Sequence, residues 1–157
     1  MKTSMEEQVG MKLHRRVIER EASGAPEFID ITDEVLAAVE ASEIREGSVT
    51  VFSRHTTAAV KINENEPLLL EDLARFLERA APREADYRHN DFVIRTVNMT
   101  EDECPNGHSH CQHLLLSASE TIPVCDGAAL LGRWQRIFLI ELDRPRLRQV
   151  VIQVQGW

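Results

Sequence analysis

Between Val49 and Ile62 the chain carries no turn residue, and its apolar side chains fall on alternate positions of both parities. Val49, Val51 and Ala59 form one set; Phe52, Ala58, Val60 and Ile62 form the other. Such a run fits a strand that is apolar on both faces better than an amphipathic helix, and it predicts one strand over about residues 48–62. The sequence places Ser53-Arg54-His55-Thr56-Thr57 inside that run and Asn63-Glu64-Asn65 after it. Desolvating these polar groups costs free energy unless each finds a partner. The ordinary reading of His55 is a core histidine bonded to a backbone carbonyl. The functional reading draws on four further histidines later in the chain.

At 157 residues the chain fits a single domain over residues 11–157, preceded by a polar, flexible tail over residues 1–10. A net charge of −8 argues against a sequence-independent grip on nucleic acid or anionic membranes. It leaves room for a locally positive pocket and a small phosphorylated ligand. Cys104, Cys111 and Cys125 form no CxxC pair and are odd in number, which points to reduced thiols in a cytoplasmic protein. No apolar run approaches the length of a membrane span, and no signal segment is evident.

The hydrophobic pattern predicts strands over 11–19, 27–31, 48–62, 120–124, 133–142 and 149–155, with a further short strand over 92–98. Helices are expected over 33–42, capped by Thr32, from Asn65 or Glu66 to Ala80, and over 109–117. Leu69, Leu70, Leu73, Phe76, Leu77 and Ala80 make the second of these amphipathic, with its apolar face on the sheet. The order of elements argues an α+β fold rather than a doubly wound sheet.

Five of the six histidines fall in three polar segments: His55; His89; and the trio His108, His110 and His113. His14 reads as a surface residue of the first strand. Three neutral imidazoles around one open position is a common arrangement for catalytic zinc, although no HExxH motif accompanies them. The segment Asn106 to His113 leads into a helix, whose free N–H groups are a natural anion site. Glu64 and Asp72 are candidate acid/base groups, with Glu64 ranked first for its place beside the polar strand end. Cys111 is a weaker candidate nucleophile. There is no phosphate-binding glycine loop and no GxSxG serine.

HTTAAVKINENE over 55–66, the DLARFLERAAP helix, Tyr87-Arg88-His89-Asn90-Asp91, Ser109-His110, IPVCDG and LGRWQRIFLIELD occur in this order. Together they resemble the YjbQ-type family across nearly all of residues 11–156. Members are commonly labelled secondary thiamine-phosphate synthases. The label implies a weak transferase activity that joins a hydroxymethylpyrimidine diphosphate to a thiazole phosphate and releases pyrophosphate. The resemblance also implies an α+β β-sandwich of about seven strands with packed helices, assembled as a homotrimer about a threefold axis. Its pattern falls on His55, Asn63, Glu64, His89 and His110, followed by Trp134-Gln135; His110 is preferred to His108 because it follows a serine.

The residues and the resemblance together suggest several roles. His55, His89 and His110 would hold a divalent metal, zinc or magnesium, or else a phosphate. His55 and Glu64 would be catalytic, and Asn63, Arg54, Arg88, Ser109 and Trp134 would contact the ligand. A metal, Arg54 or Arg88 would stabilise the departing pyrophosphate. The chain departs from the family pattern at Ser117, where a glycine is usual, and over 92–104, which is longer and more apolar. Rival readings are a non-catalytic module that binds a phosphorylated metabolite and a metal-dependent hydrolase.

Overall fold

The computed structural model describes residues 10–157; apart from Gly10, the expected tail over 1–10 lies outside the described residues. The elements in chain order are β1 (Lys12–Glu21), β2 (Glu27–Asp30), α1 (Thr32–Ser42), β3 (Gly47–Ser53), β4 (Ala58–Asn63) and α2 (Pro67–Ala80). A 3-10 turn (Arg88–Asn90) follows, then α3 (Gly107–Leu116), β5 (Ser119–Cys125), β6 (Ala128–Ala129), β7 (Arg136–Glu141) and β8 (Leu147–Gly156). The strands form two antiparallel sheets, one in the order β1-β8-β3-β5-β6 and the other β2-β7-β4. The α+β class holds, with eight strands among the described residues rather than about seven.

The two sheets face each other across the main core. Val49 and Val51 of β3, and Val150, Ile152 and Val154 of β8, meet Ala58, Val60, Ile137 and Leu139 of the smaller sheet. Val35, Ala38 and Val39 of α1 join the same core. The opposite face of the smaller sheet carries a second cluster of Ala59, Phe138 and Ile140, covered by Leu77 of α2 and Leu116 of α3. The smaller sheet is therefore apolar on both faces. This explains the continuous apolar runs of β4 and β7.

The expected single strand over 48–62 is two strands in different sheets. β3 ends at Ser53, β4 begins at Ala58, and residues 54–57 cross from one sheet to the other. The buried Ser53 hydroxyl donates to the Ala58 carbonyl at 2.6 Å and pins the crossover at its base. The dual parity of apolar residues had two sources: one-sided burial in β3, where Phe52 is exposed, and two-sided burial in β4.

Other expectations also shift. Met11, Leu13 and Val17 face outward, and it is Ile18 of β1 that enters the core. Thr32 is the first residue of α1 and not its cap; the cap position is Ile31, and Asp30 Oδ1 accepts from the Thr32 N–H at 3.0 Å and its hydroxyl at 2.6 Å. No strand forms over 92–98. There the Asp91 carboxylate accepts from the Val93 N–H (3.0 Å), and the Arg95 N–H donates to the Asp91 carbonyl (2.9 Å), curling the segment. Of the predicted apolar face of α2, only Leu77 is fully buried, while Phe76 is exposed. The three cysteines are unpaired, and among the described residues no helix is long and apolar enough to cross a membrane.

A buried ion pair ties the two sheets at one end. Glu141 closes β7, Arg148 lies near the start of β8, and the two side chains are 0% and 4% exposed. Arg148 Nη2 donates to Glu141 Oε1 at 2.6 Å and to the Thr57 hydroxyl at 2.9 Å, while its Nε contacts Glu141 Oε2. Glu141 Oε1 also accepts from the backbone N–H groups of Leu142, Asp143 and Arg144. Both charges are thus multiply bonded. Removing one partner leaves the other desolvated and unpaired, which costs about 3–5 kcal/mol. Accordingly Glu141→Ala lowers unfolding free energy by about that amount in urea titration, whereas Asp72→Ala, which removes an exposed ion pair with Arg75, changes it by less than about 1 kcal/mol.

α3 turns His108, Ser109 and Gln112 inward. Gln112 donates to the Leu77 and Ala81 carbonyls at the end of α2. Neither ring nitrogen of His108, 2% exposed, has a hydrogen-bond partner of normal geometry. Burial, and next the Arg83 charge, hold its pKa below the usual histidine value, against the pull of Asp143 and Glu78. Burial is also the largest cause lowering His55, His110 and His113. Histidines with lowered folded pKa values bind protons more readily when unfolded. Their stabilising contribution is therefore complete above about pH 6.5 and is lost as pH falls below it. We expect the urea midpoint to fall progressively from pH 6.5 downward, and His108→Leu to flatten that slope.

Candidate functional site

The crossover residues Arg54 to Thr57, the 3-10 turn, the start of α3 and the β7–β8 loop surround a cavity of about 530 Å³. Thr57 and Arg148 fix its floor through the ion pair with Glu141. The opposite wall is built by Asn90, whose side-chain oxygen accepts from the N–H groups of Asn106 (3.0 Å) and Gly107 (2.8 Å) at the start of α3. A side chain at position 107 would sit 2.5 Å from Tyr87 Cβ, so glycine there admits the Tyr87 ring. These contacts bring His89 beside His110, with ring centroids 4.7 Å apart at 67°.

The expected anion site at the start of α3 is therefore closed. Its first N–H groups go to Asn90, and the Ser109 N–H donates to the Asn106 carbonyl at 3.0 Å. Ser109 is fully buried, and its hydroxyl also donates to that carbonyl. It shapes the helix start and does not face the cavity.

His55, His89, His110 and Arg54 do converge on the one cavity. The Gln149 backbone N–H donates to His55 Nε2 at 2.8 Å. That bond uses the Nε2 lone pair, so the neutral ring carries its proton on Nδ1. Burial, then the Arg148 charge, push the His55 pKa down, with Arg146 and Arg54 acting the same way and Glu141 opposing. Burial, then His89, do the same for His110. Both shifts favour the neutral ring.

This donor set does not fit a single metal ion. A neutral His55 that accepts at Nε2 has no lone pair left on Nδ1. Among the described residues, the donor atoms that gather within 4.8 Å of one another are those of Glu46, Cys125 and Asp126, near the β5–β6 turn. That group stands apart from the cavity.

The cations come from residues the sequence reading passed over. Arg95, Arg144, Arg146 and Arg148 line the cavity beside Arg54, and Glu103 is the one carboxylate among its lining residues. Arg95 pairs with Glu103 at 2.8 Å and Arg146 with Asp143 at 3.4 Å, and Arg144 reaches Asp102 at 3.3 Å. Arg54 bonds to the neutral Gln149 side chain at 2.8 Å. The signal for Arg144 and Arg146 was present in Asp143-Arg144-Pro145-Arg146, a strand connection unusually rich in arginine.

The remaining candidates lie elsewhere in the chain. Glu64 and Trp134 line a different cavity with Asp30 and Arg136, past the far end of β4, a strand roughly 20 Å long. Arg133 stacks on Trp134 there, 4.6 Å from the ring centroid. Asn63 borders a small apolar cavity under α2. Arg88 lines an outer cavity next to His89. Asp72 is exposed and pairs with Arg75.

Residues 16–157 match the family model described as "UPF0047 protein YjbQ-like". A UPF0047 protein of Methanothermobacter thermautotrophicus is 41% identical over 148 residues, which cover 94% of this chain and 96% of that one. YugU of Bacillus subtilis, another UPF0047 protein, is 33% identical over 132 residues, covering 83% and 90%. Among solved structures, a YbjQ-like protein of Sulfolobus solfataricus superposes with a TM-score of 0.85 at 33% identity, over 94% of this chain and all of that one. A YjbQ/UPF0047 protein of Clostridium acetobutylicum gives 0.78 at 33% identity, over 88% and 98%. With sequence and fold in agreement across almost the whole chain, this protein belongs to the YjbQ-like UPF0047 family.

Proposed function

We propose that the cavity binds the phosphoryl group of a small phosphorylated molecule. One observation carries this reading: in a chain of net charge −8, five arginines and a single carboxylate line one cavity. Arg54 is the cation best placed to meet an anion, because its hydrogen-bond partner is neutral. His55 adds a neutral Nδ1–H donor, and the hydroxyls of Thr56 and Thr57 border the same space. Displacement of a diphosphate, as in thiamine-phosphate synthesis, is the reaction such a site favours. A departing pyrophosphate needs fixed cations more than a nucleophile, and Arg54, Arg144 and Arg146 supply them. Glu64 does not reach this cavity within one chain, so a proton would move through His55 or His110.

Calorimetric titration with pyrophosphate and with sulfate tests the reading. Arg54→Ala weakens both about 10- to 100-fold, since a hydrogen bond to a charged group contributes about 1.5–3 kcal/mol; Arg79→Ala, on the exposed face of α2, leaves them unchanged. Sulfate keeps its charge across the pH range, so its affinity reports the protein alone. An anion beside His110 raises that group's lowered pKa, so sulfate binds more tightly as pH falls below about 6.5. Zinc binding that weakens over the same range, with no anion effect of Arg54→Ala, would overturn the reading in favour of a metal site.

We also propose a homotrimer. Leu13, Val17 and Phe52 are exposed on the outer face of the larger sheet, and Phe76, Leu114 and Leu115 on the helices. Exposed apolar surface of this extent fits coverage by further copies. Light scattering should return three times the 17.9 kDa chain mass; a monomer mass maintained across a tenfold dilution would refute it.

A further inference from the structure

The phosphate cavity adjoins a second one of about 470 Å³, and the two share His89, Arg95 and Asn98 as walls. The outer cavity adds Arg88, Ile94 and Val97. It lies on the segment 91–104, where Phe92, Val93, Ile94, Val97 and Met99 all expose their side chains. Surface loops seldom carry so many apolar groups without a use for them.

The segment is firmly held. Arg95 Nη1 donates to Glu103 at 2.8 Å and to the His89 carbonyl at 3.4 Å, and its Nη2 to the Asn98 carbonyl at 2.8 Å. Glu103 in turn accepts from the Thr100 N–H at 3.2 Å. One guanidinium therefore fixes both the inner cavity wall and the positions of Ile94 and Val97, which are 54% and 68% exposed.

We infer that the molecule bound here is an amphiphile, with its phosphate in the arginine-lined cavity and an apolar chain laid along Ile94 and Val97. This rests on the phosphate reading of the inner cavity. The shared walls fix the order of the ligand: an anionic group inside, then an apolar portion leading outward past His89. The aliphatic stem of Arg88 extends the apolar lining, because a long basic side chain covers apolar surface while its charged end stays in water.

Calorimetry with methyl phosphate and octyl phosphate, below the concentration at which octyl phosphate forms micelles, tests the inference. Each buried methylene contributes about fourfold in affinity, so octyl phosphate should bind at least about tenfold more tightly than methyl phosphate. In I94S/V97S that ratio should fall to within about twofold, while L68S, at an exposed leucine of α2, keeps it. Equal binding of the two phosphates by the wild-type protein would overturn the amphiphile and leave the phosphate cavity standing. Binding of neither, together with no response to pyrophosphate, would overturn both. Octanol binding as tightly as octyl phosphate would show an apolar patch acting alone. A change of assembly mass in I94S/V97S would assign the 91–104 segment to contacts between copies. Either of these last results would also overturn the inference.

Discussion

The Glu141–Arg148 pair holds together the parts of the molecule on which the site depends. Glu141 ends a strand of the smaller sheet, Arg148 belongs to a strand of the larger one, and Thr57 closes the crossover between them. Burying both charges is costly, and a pair of apolar residues would serve stability as well or better. What the ion pair adds is geometry. The Glu141 carboxylate gathers three successive N–H groups of the β7–β8 loop, and the guanidinium reaches across to the loop bearing His55. Two loops that have no hydrophobic reason to meet are thereby held in register on either side of the cavity.

His55 shows the same logic on a smaller scale. Its ring is oriented by a backbone N–H of the neighbouring strand, so its tautomer follows from the β-sheet framework itself. A side chain held this way offers the cavity a proton donor. The opposite wall is fixed by Asn90, which caps α3 and thereby seats His89 against His110. His55 is placed by a main-chain N–H, His89 and His110 by the Asn90 cap beside them, and all three line a space whose cations are guanidiniums.

Much of the architecture was legible because it rests on periodicity and local chemistry. The three helices and the α+β class follow from apolar spacing and from turn residues such as Asp126-Gly127, both of which adopt positive φ. The split of 48–62 was not legible, because nothing in the sequence marks the crossover as a turn. It is Ser53 bonding to Ala58, together with the distant Arg148, that stabilises the bend. The convergence of His55, His89 and His110 was read from the family pattern. Arg95, Arg144 and Arg146 were missed because arginines in loops usually remain in solvent, and only the folded β7–β8 loop turns two of them inward. Glu64 was drawn toward His55 by closeness in sequence. An extended strand, at about 3.3 Å per residue, instead carries them to opposite ends of the smaller sheet.

The charge arrangement in the cavity bears on how tightly it should hold an anion. Four of its arginines have a carboxylate at hand: Glu103, Asp102, Asp143 and Glu141. Two of those acids, Asp143 and Glu141, are almost wholly removed from solvent, so they offset positive charge in the protein without competing at the cavity surface. An anion entering here meets guanidiniums already fixed in place, and little ordering cost remains for it to overcome. It gains less Coulombic energy than five unpaired charges would give, because most of the field is already balanced from behind. Arg54, bonded only to an amide, carries the largest uncompensated share. If the cavity takes a phosphoryl group as proposed, it would bind it by geometry and a single dominant charge contact, that of Arg54.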